Sequence, residues 1–147
     1  MWRVATEDDL KKSISDTEVE AYRVAAIGDG GQDPVADLLL RTTRLVRGYM
    51  RANRRIRLPQ DETLLPDTLI APAMDYAAFD VVGRVPVDNT EDRRTRRQQA
   101  IAVFQAVAAD RFYVEQFEPQ DDAASGAAAT LACKSARRVT ARSLEGL

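Results

Sequence analysis

The residues in this sequence that are best suited to specific contacts are arginines. A guanidinium offers a planar set of donors that matches carboxylates and phosphates, so a row of arginines on one helix face can bind an acidic protein surface or a nucleic-acid backbone. A solvated helix face has the same pattern, and the sequence leaves both interpretations open. Six arginines recur at helical spacing in a single stretch: Arg41, Arg44, Arg47, Arg51, Arg54 and Arg55.

A second basic group lies close to the C-terminus. It follows a stretch, beginning at Glu118, that is first acidic and then rich in alanine. Such a stretch contributes little apolar surface, so it is not expected to join a core, and an ordered arrangement would need a neighbouring chain. The sequence therefore predicts an extended C-terminal arm over residues 118–147. The basic residues of this arm are Lys134, Arg137, Arg138 and Arg142.

Several kinds of catalytic or metal site are excluded by what the chain lacks. It contains no histidine and a single cysteine, Cys133. Within one chain this excludes a zinc site, a cysteine–histidine pair, a histidine-dependent serine triad and a disulfide. The loop from Gly28 to Asp33 lacks the lysine of a P-loop and the alternating ligands of an EF-hand, and is interpreted as a turn. We therefore expect no enzyme activity, and no catalytic residues, metal or cofactor.

Length and composition indicate one domain. With 147 residues, 45% of them hydrophobic, the chain is long enough for one core and too short for two. The formal net charge is −2, so any contact with a polyanion must come from a local patch. No apolar run approaches the roughly 18 residues that a membrane span needs, and the N-terminus lacks the pattern of a signal peptide. A cytosolic protein with no membrane partner is expected.

The element that must position the six arginines is a central helix, predicted from Asp33 to Arg57. Asp33 suits the N-cap, and Pro34 suits the first helical position, where its missing N–H is not needed. At about 100° per residue the arginines fall on one side together with Leu40, and an apolar stripe falls on the other. The predicted core stripe consists of Val35, Leu38, Leu39, Thr42, Leu45, Val46, Tyr49 and Met50.

Two helices are predicted before the central one. Thr6 is the N-cap of the first, a short helix that ends near Ser13. Ser15 and Glu18 have the spacing of a capping box, which begins a second helix that runs to about Ile27.

Two further helices are predicted after the central one. The first follows Pro66 and ends at Gly83, and Pro72 predicts that it either starts late or is kinked. The second is capped by Thr90 and ends near Phe117. Its predicted buried face is Ile101, Phe104, Ala108 and Phe112, and the solvated arginines expected at its beginning are Arg93, Arg94, Arg96 and Arg97. The predicted fold is thus all-α, a small helical bundle of about four to five helices over residues 1–117, with an extended C-terminal arm over 118–147.

Four motifs follow one another in a specific order between about Val4 and Phe117. They are Thr6-Glu7-Asp8-Asp9-Leu10, then Ser15-Asp16-Thr17-Glu18, then Arg51-Ala52-Asn53-Arg54-Arg55 before Leu58-Pro59, then Ala73-Met74-Asp75-Tyr76-Ala77 in the helix led by Pro66. This order resembles the small head-tail connector proteins of tailed bacteriophages, and more narrowly the Mu-like adaptor or head-completion family.

The resemblance implies a virion structural protein that acts as a head-to-tail adaptor at the neck and is made in the host cytoplasm. Members of the family form a ring, twelvefold in most cases, beneath the portal protein. The ring extends the channel through which genomic DNA passes, and it meets the next neck or tail component. The resemblance also implies that the arm inserts between portal subunits. Its portal-binding residues would be Lys134, Arg137, Arg138 and Arg142, and the arginines of the central helix would lie at the subunit interface or on the channel wall.

An alternative hypothesis is a DNA-binding regulator whose central helix enters a groove. The arginines are compatible with phosphate contacts, whereas the overall acidity and the scarcity of side chains suited to base reading argue against it. A steep loss of duplex affinity with salt would favour the regulator.

Overall fold

The computed structural model describes residues 1–26, 33–85 and 90–118. These residues form a small helical bundle, so the predicted all-α fold class is confirmed. A short two-stranded sheet, which the sequence analysis did not predict, accompanies the helices. In chain order the elements are β1 (Trp2–Val4), α1 (Glu7–Leu10), α2 (Asp16–Ala26), α3 (Pro34–Ala52), β2 (Leu64–Pro66), α4 (Asp67–Val82) and α5 (Glu91–Ala108).

The central helix, α3, packs against α1, α2, α4, α5 and β2. Its predicted beginning is confirmed, because the Asp33 carboxylate accepts a hydrogen bond from the Val35 amide at 3.0 Å. Its predicted end at Arg57 is wrong. The helix stops at Ala52, because Asn53 adopts an extended conformation with φ −90° and ψ 107°. Arg54 and Arg55 therefore lie beyond the helix and not on its face.

The predicted core stripe of α3 is confirmed at most of its positions. Val35, Val46 and Met50 are each at most 1% exposed, and Leu38, Leu39 and Thr42 are also buried. Leu45 is the exception, at 36% exposed. It lies at the margin of the stripe, next to the solvent side of the helix.

Helix α4 supplies much of the core. Leu69, Ala73 and Ala77 are fully buried, and apolar residues occur on all its sides, as expected for a helix surrounded by others. The helix begins at Asp67 and contains Pro72, so of the two predicted alternatives, a late start or a kink, the late start is excluded. Phe104 of α5 packs against the rings of Tyr49 and Tyr76, at centroid distances of 5.8 and 6.3 Å.

Helix α5 ends at Ala108 and not near Phe117, as the sequence analysis predicted. Asp110 has a φ of 58°, in the left-handed region, and the Arg111 amide donates to the Ala106 carbonyl oxygen at 2.8 Å. The chain thereby reverses direction, since a left-handed residue cannot continue a right-handed helix. Phe112, which was predicted to be buried, is 36% exposed as a result.

The segment after this reversal, residues 111–118, packs back onto β1. The Trp2 indole N–H donates to the Glu115 carbonyl oxygen at 3.1 Å, and the rings of Trp2 and Phe117 meet edge to face at 5.9 Å. Val114, within this segment, is buried against the bundle. Aromatic and hydrogen-bonding contacts therefore hold this segment on the bundle without secondary structure of its own.

The capping box that was predicted for α2 is confirmed, and it also links α2 to α5. The Glu18 carboxylate accepts from the Ser15 amide and hydroxyl, each at 3.0 Å, and from Arg93 Nη2 at 2.6 Å. Burial alone raises the pKa of Glu18, but these hydrogen bonds outweigh it and hold that pKa below its usual value. The prediction that Arg93 is solvated is therefore wrong.

The prediction that the arginines at the beginning of α5 are solvated is also wrong for Arg97, but it is right for Arg94 and Arg96. The Arg97 guanidinium lies over the rings of Phe79 and Tyr76, at 4.4 and 5.0 Å from their centroids. Arg94 and Arg96 are exposed and pair with carboxylates of their own helix.

The two strands bring a partly buried ion pair, in which the carboxylate is the buried partner, to the N-terminal end of the fold. Strand β1 pairs antiparallel with β2, and Arg3 Nη1 donates to the Asp9 carboxylate at 2.6 Å. The Asp9 carboxylate also accepts from Lys12 at 3.0 Å and from the Thr6 amide at 3.1 Å, which completes the predicted cap of α1. The Arg3 hydrogen bond, together with those from Lys12 and Thr6, holds the pKa of Asp9 well below its usual value.

We expect Asp9→Asn to lower the free energy of unfolding at pH 7 by about 1–3 kcal/mol, because the buried carboxylate loses the charge that strengthens its hydrogen bonds with Arg3, Lys12 and Thr6. Folding lowers the pKa of the Asp9 carboxyl group. Its stabilising effect is therefore fully present above the pKa of an aspartate in the unfolded chain, ~3.9, and is lost as the pH falls through the pKa in the folded state. Urea denaturation between pH 7 and pH 2.5 measures this difference, which should narrow below about pH 4. Asp8→Asn, at the exposed neighbouring position, is the control; an equal loss in both variants would contradict the prediction.

Candidate functional site

Three arginines of α3 lie on its solvent side, as predicted. The side chains of Arg41 and Arg51 are 58% and 60% exposed, and Arg44 is also exposed. Arg41 pairs with Asp37 one turn earlier, and Arg51 Nη2 lies 2.9 Å from the Glu62 carboxylate. Arg44 has no carboxylate partner among the described residues. We call Arg41, Arg44 and Arg51 the α3 arginine face.

Arg47 was predicted to belong to the same face, and this is wrong. The residue is only 2% exposed, and its guanidinium donates to the carbonyl oxygens of Leu64 and Pro59, at 2.9 and 2.8 Å. Burial lowers its pKa, although an arginine remains charged in a protein. Arg47 thus holds the connector between α3 and β2 in place, and it is not accessible to a partner. A helical projection places it at the margin of the stripe, where only the tertiary structure decides between core and solvent.

Arg54 and Arg55 belong to a different surface, at the carboxyl ends of α3 and α5. Asn53 Nδ2 donates to the Val107 carbonyl oxygen at 2.9 Å and to the Asp110 carboxylate at 3.1 Å, which ties the two helix ends together. The Arg55 amide donates to Asn53 Oδ1 at 3.0 Å, and the Arg55 guanidinium pairs with the Asp110 carboxylate. We call this surface the arginine-rich end, and it comprises Arg54, Arg55, Arg57 and Arg111.

Most charges of the arginine-rich end have no carboxylate partner among the described residues. Arg55 is 81% exposed and pairs with Asp110, whereas Arg54, Arg57 and Arg111 have no carboxylate partner within residues 1–26, 33–85 and 90–118. The sequence analysis did not assign a role to Arg57 or Arg111. It placed Arg111 within a helix that was predicted to run to about Phe117. The reversal of the chain at Asp110, which brings Arg111 to this end of the bundle, was not predicted.

The solvent side of α3 also contains small and apolar residues. A Cβ atom added to Gly48 would have no neighbour within 4 Å, which means that the described chain leaves open space there. Leu45 is partly exposed and Leu40 half-buried on either side of this helix face. Leu40 also borders a shallow, almost entirely apolar groove of about 240 Å³. The other lining residues of the groove are Val4, Ala5, Ala36, Leu39, Thr43 and Thr63.

The remaining sequence predictions concern a metal site, a membrane span, the turn before α3 and the C-terminal arm. Within the described residues, no group of three or more potential ligands is arranged to hold a metal ion. No helix in the same ranges combines the length and the apolar character needed to cross a membrane. The turn at residues 28–32 and the arm residues Lys134, Arg137, Arg138 and Arg142 lie outside the described ranges.

No family model, curated protein or solved structure matches the chain.

We expect Arg47→Lys to lower the free energy of unfolding by about 1–3 kcal/mol, since an ammonium cannot reach both carbonyl oxygens with the geometry of a guanidinium. Chemical denaturation measures the loss. Arg44→Lys is the matched control on the exposed side of the same helix and should stay within about 0.5 kcal/mol of the wild type. Equal effects at the two positions would show that Arg47 is not a buried structural residue.

We expect Asn53→Ala to lower the free energy of unfolding by about 1–3 kcal/mol, because the Val107 carbonyl oxygen, the Asp110 carboxylate and the Arg55 amide each lose a hydrogen bond. Hydrogen exchange should show faster opening at the last turns of α3 and α5 than in α4. Gln99→Ala, at an exposed amide on α5, is the control. Unchanged exchange at both helix ends would mean that Asn53 does not join them.

Proposed function

We propose that this protein is a head-to-tail adaptor of a tailed bacteriophage, a non-enzymatic virion protein that assembles as a ring beneath the portal protein. The observation that carries the proposal is the α3 arginine face. A central helix that is buried along one side presents charged residues on the other, and Arg44 among them has no carboxylate partner in the described chain. Such a surface is available to neighbouring subunits, and the helical fold agrees with the resemblance to the connector family.

Gly48 supports a contact at this face. In the interior of a helix glycine costs about 1 kcal/mol relative to alanine, and no atom of the described chain requires its small size. A neighbouring backbone that approaches α3 closely would require it. Leu45 and Leu40 would add apolar area to the same contact.

The proposed assembly depends on repeated weak contacts. Exposed ion pairs contribute little individually, about 0–1 kcal/mol each, but a ring repeats every contact and raises the effective concentration of the next one. The C-terminal arm would anchor the ring on acidic portal surface through Lys134, Arg137, Arg138 and Arg142. The ring would then surround the genomic DNA and offer a surface to the next neck or tail component, with the portal setting its symmetry.

A second candidate function is a DNA-binding regulator, which the arginine-rich end favours. A regulator would bind one duplex sequence more tightly than others, since base contacts are what specify sequence. An adaptor would bind duplex DNA without sequence preference, or only as a ring.

The test of the adaptor is assembly on its portal protein, followed by electron microscopy and native mass spectrometry. We expect a ring with the wild type, and we expect Gly48→Gln to lose it, because the new side chain fills the space that a neighbour needs. Gly48→Gln should at the same time raise the free energy of unfolding by about 0.5–1 kcal/mol, since glutamine is a better helix former.

Ala102→Gln, which adds the same side chain to an exposed position of α5, is the matched control and should assemble normally. Failure of the wild type to form any ring on the portal would rule out the adaptor. Normal assembly of Gly48→Gln would rule out the α3 arginine face as the subunit interface.

A further inference from the structure

We propose that the arginine-rich end binds the phosphate backbone of duplex DNA, without reading its sequence. In the adaptor ring, this would be the part of each subunit that faces the channel. The orientation in the ring rests on the proposed function, but the binding surface itself does not. It is argued from Arg54, Arg55, Arg57 and Arg111 in the described chain.

The local charge at this end is positive, although the whole chain is slightly acidic. The four arginines of this end have one carboxylate partner among the described residues, that of Asp110, and the carboxyl ends of α3 and α5 contribute roughly half a negative charge each. About two positive charges therefore remain. The positive charge of the arginines exceeds the negative charge of the two helix ends. Stabilisation of the helix dipoles therefore does not explain why all four arginines are present.

The fold fixes the relative positions of these arginines. The side-chain amide of Asn53 donates to Val107 and Asp110 across the two helix ends, and its oxygen Oδ1 accepts from the Arg55 amide. On the other side the Arg111 amide is held by the Ala106 carbonyl oxygen, directly after the left-handed Asp110. The backbones that carry the arginines are thus anchored, and only the side chains must be ordered on binding.

Residues 111–118, which follow the reversal at Asp110, lie next to the loop that carries Arg54 and Arg57. The Arg57 amide donates to the Gln116 side-chain oxygen at 3.2 Å, so residues 111–118 return past the loop that carries Arg54 and Arg57. Arginines that are 54 or more positions apart in the sequence consequently share one end of the bundle. The exposed phenol of Tyr113, 80% exposed, lies two residues beyond Arg111 and offers one further hydrogen-bond donor to a phosphate.

Duplex DNA fits this surface better than an acidic protein does. Exposed ion pairs between proteins gain little, about 0–1 kcal/mol each, because water and salt screen them. DNA carries a charge about every 1.7 Å along its axis, and each phosphate contact releases condensed counterions. Exposed arginines without carboxylate partners can therefore contribute binding free energy to a DNA complex without being buried.

The experiment measures binding of the full chain to a fluorescent duplex of random sequence by anisotropy, over a range of salt concentrations. The test variant is Arg54→Ser/Arg57→Ser/Arg111→Ser, which leaves the Arg55–Asp110 pair intact. The matched control is Arg41→Ser/Arg94→Ser/Arg96→Ser, which removes the same charge from three exposed arginines that pair with carboxylates of their own helices. Circular dichroism establishes that both variants are folded.

We expect the wild type to lose affinity as salt rises and the test variant to show a slope shallower by about 2.7 in log K against log salt, as three phosphate contacts predict. The control should keep most of the wild-type slope. Equal losses in the two variants would overturn the proposal, because net charge alone would then explain binding. Absence of salt-dependent binding by the wild type would overturn it as well, and so would displacement of the duplex by polyglutamate at equal charge concentration, which would indicate an acidic protein partner.

Assembly of the same test variant on the portal separates this inference from the proposed function. If the arginine-rich end faces the channel, the test variant should form rings as the wild type does. Loss of its rings would mean that this end is a subunit contact and would overturn the inference. Failure of the wild type to form rings would instead overturn the proposed function and leave the DNA-binding result standing.

Discussion

Two hydrogen bonds from the buried guanidinium of Arg47, to the carbonyl oxygens of Pro59 and Leu64, fix the connector between α3 and β2. Strand β2 pairs with β1, and β1 carries Arg3, which binds the Asp9 carboxylate in the cap of α1. These bonds link the N-terminal part of the fold to the central helix, in addition to the direct packing of α1 and α2 on α3. A buried cation is costly unless its donors are satisfied, and here backbone carbonyls satisfy two of its nitrogens in the absence of a carboxylate partner among the described residues.

A second polar side chain, Asn53, has the same role at the opposite end of α3. It terminates the helix and joins it to the end of α5 by bonds to Val107 and Asp110. Arg47 and Asn53 are both nearly inaccessible, whereas their arginine neighbours in sequence, Arg51 and Arg55, are exposed. The stretch of chain that looked uniform in sequence thus contains two buried structural residues that alternate with accessible arginines. That division gives the α3 arginine face and the arginine-rich end their separate places on the molecule.

Both surfaces combine positive charge with features that do not help the isolated chain. Gly48 weakens the helix that contains it, and Arg54, Arg57 and Arg111 lack carboxylate partners in the ranges that the structure describes. Residues that lower or do not increase the stability of a monomer are expected where a surface serves an interaction, because proteins lose some stability at functional sites. The subunit contact and the DNA contact proposed above use these two surfaces in that way.

The sequence by itself determined the helical class and the beginnings of α2, α3 and α5. Asp33, the Ser15 and Glu18 pair and Thr90 all cap helices as predicted, because a cap is a local interaction between a side chain and the nearest free amides. The periodicity of α3 likewise identified most of its buried residues, since helical geometry alone places them on one side. Only the tertiary structure decided where α3 and α5 end, that Arg47 is buried, and that Arg93 and Arg97 are partly buried. Those outcomes depend on partners far along the chain, such as Pro59 for Arg47 and Glu18 for Arg93, and no local pattern encodes distances between residues that meet only after folding.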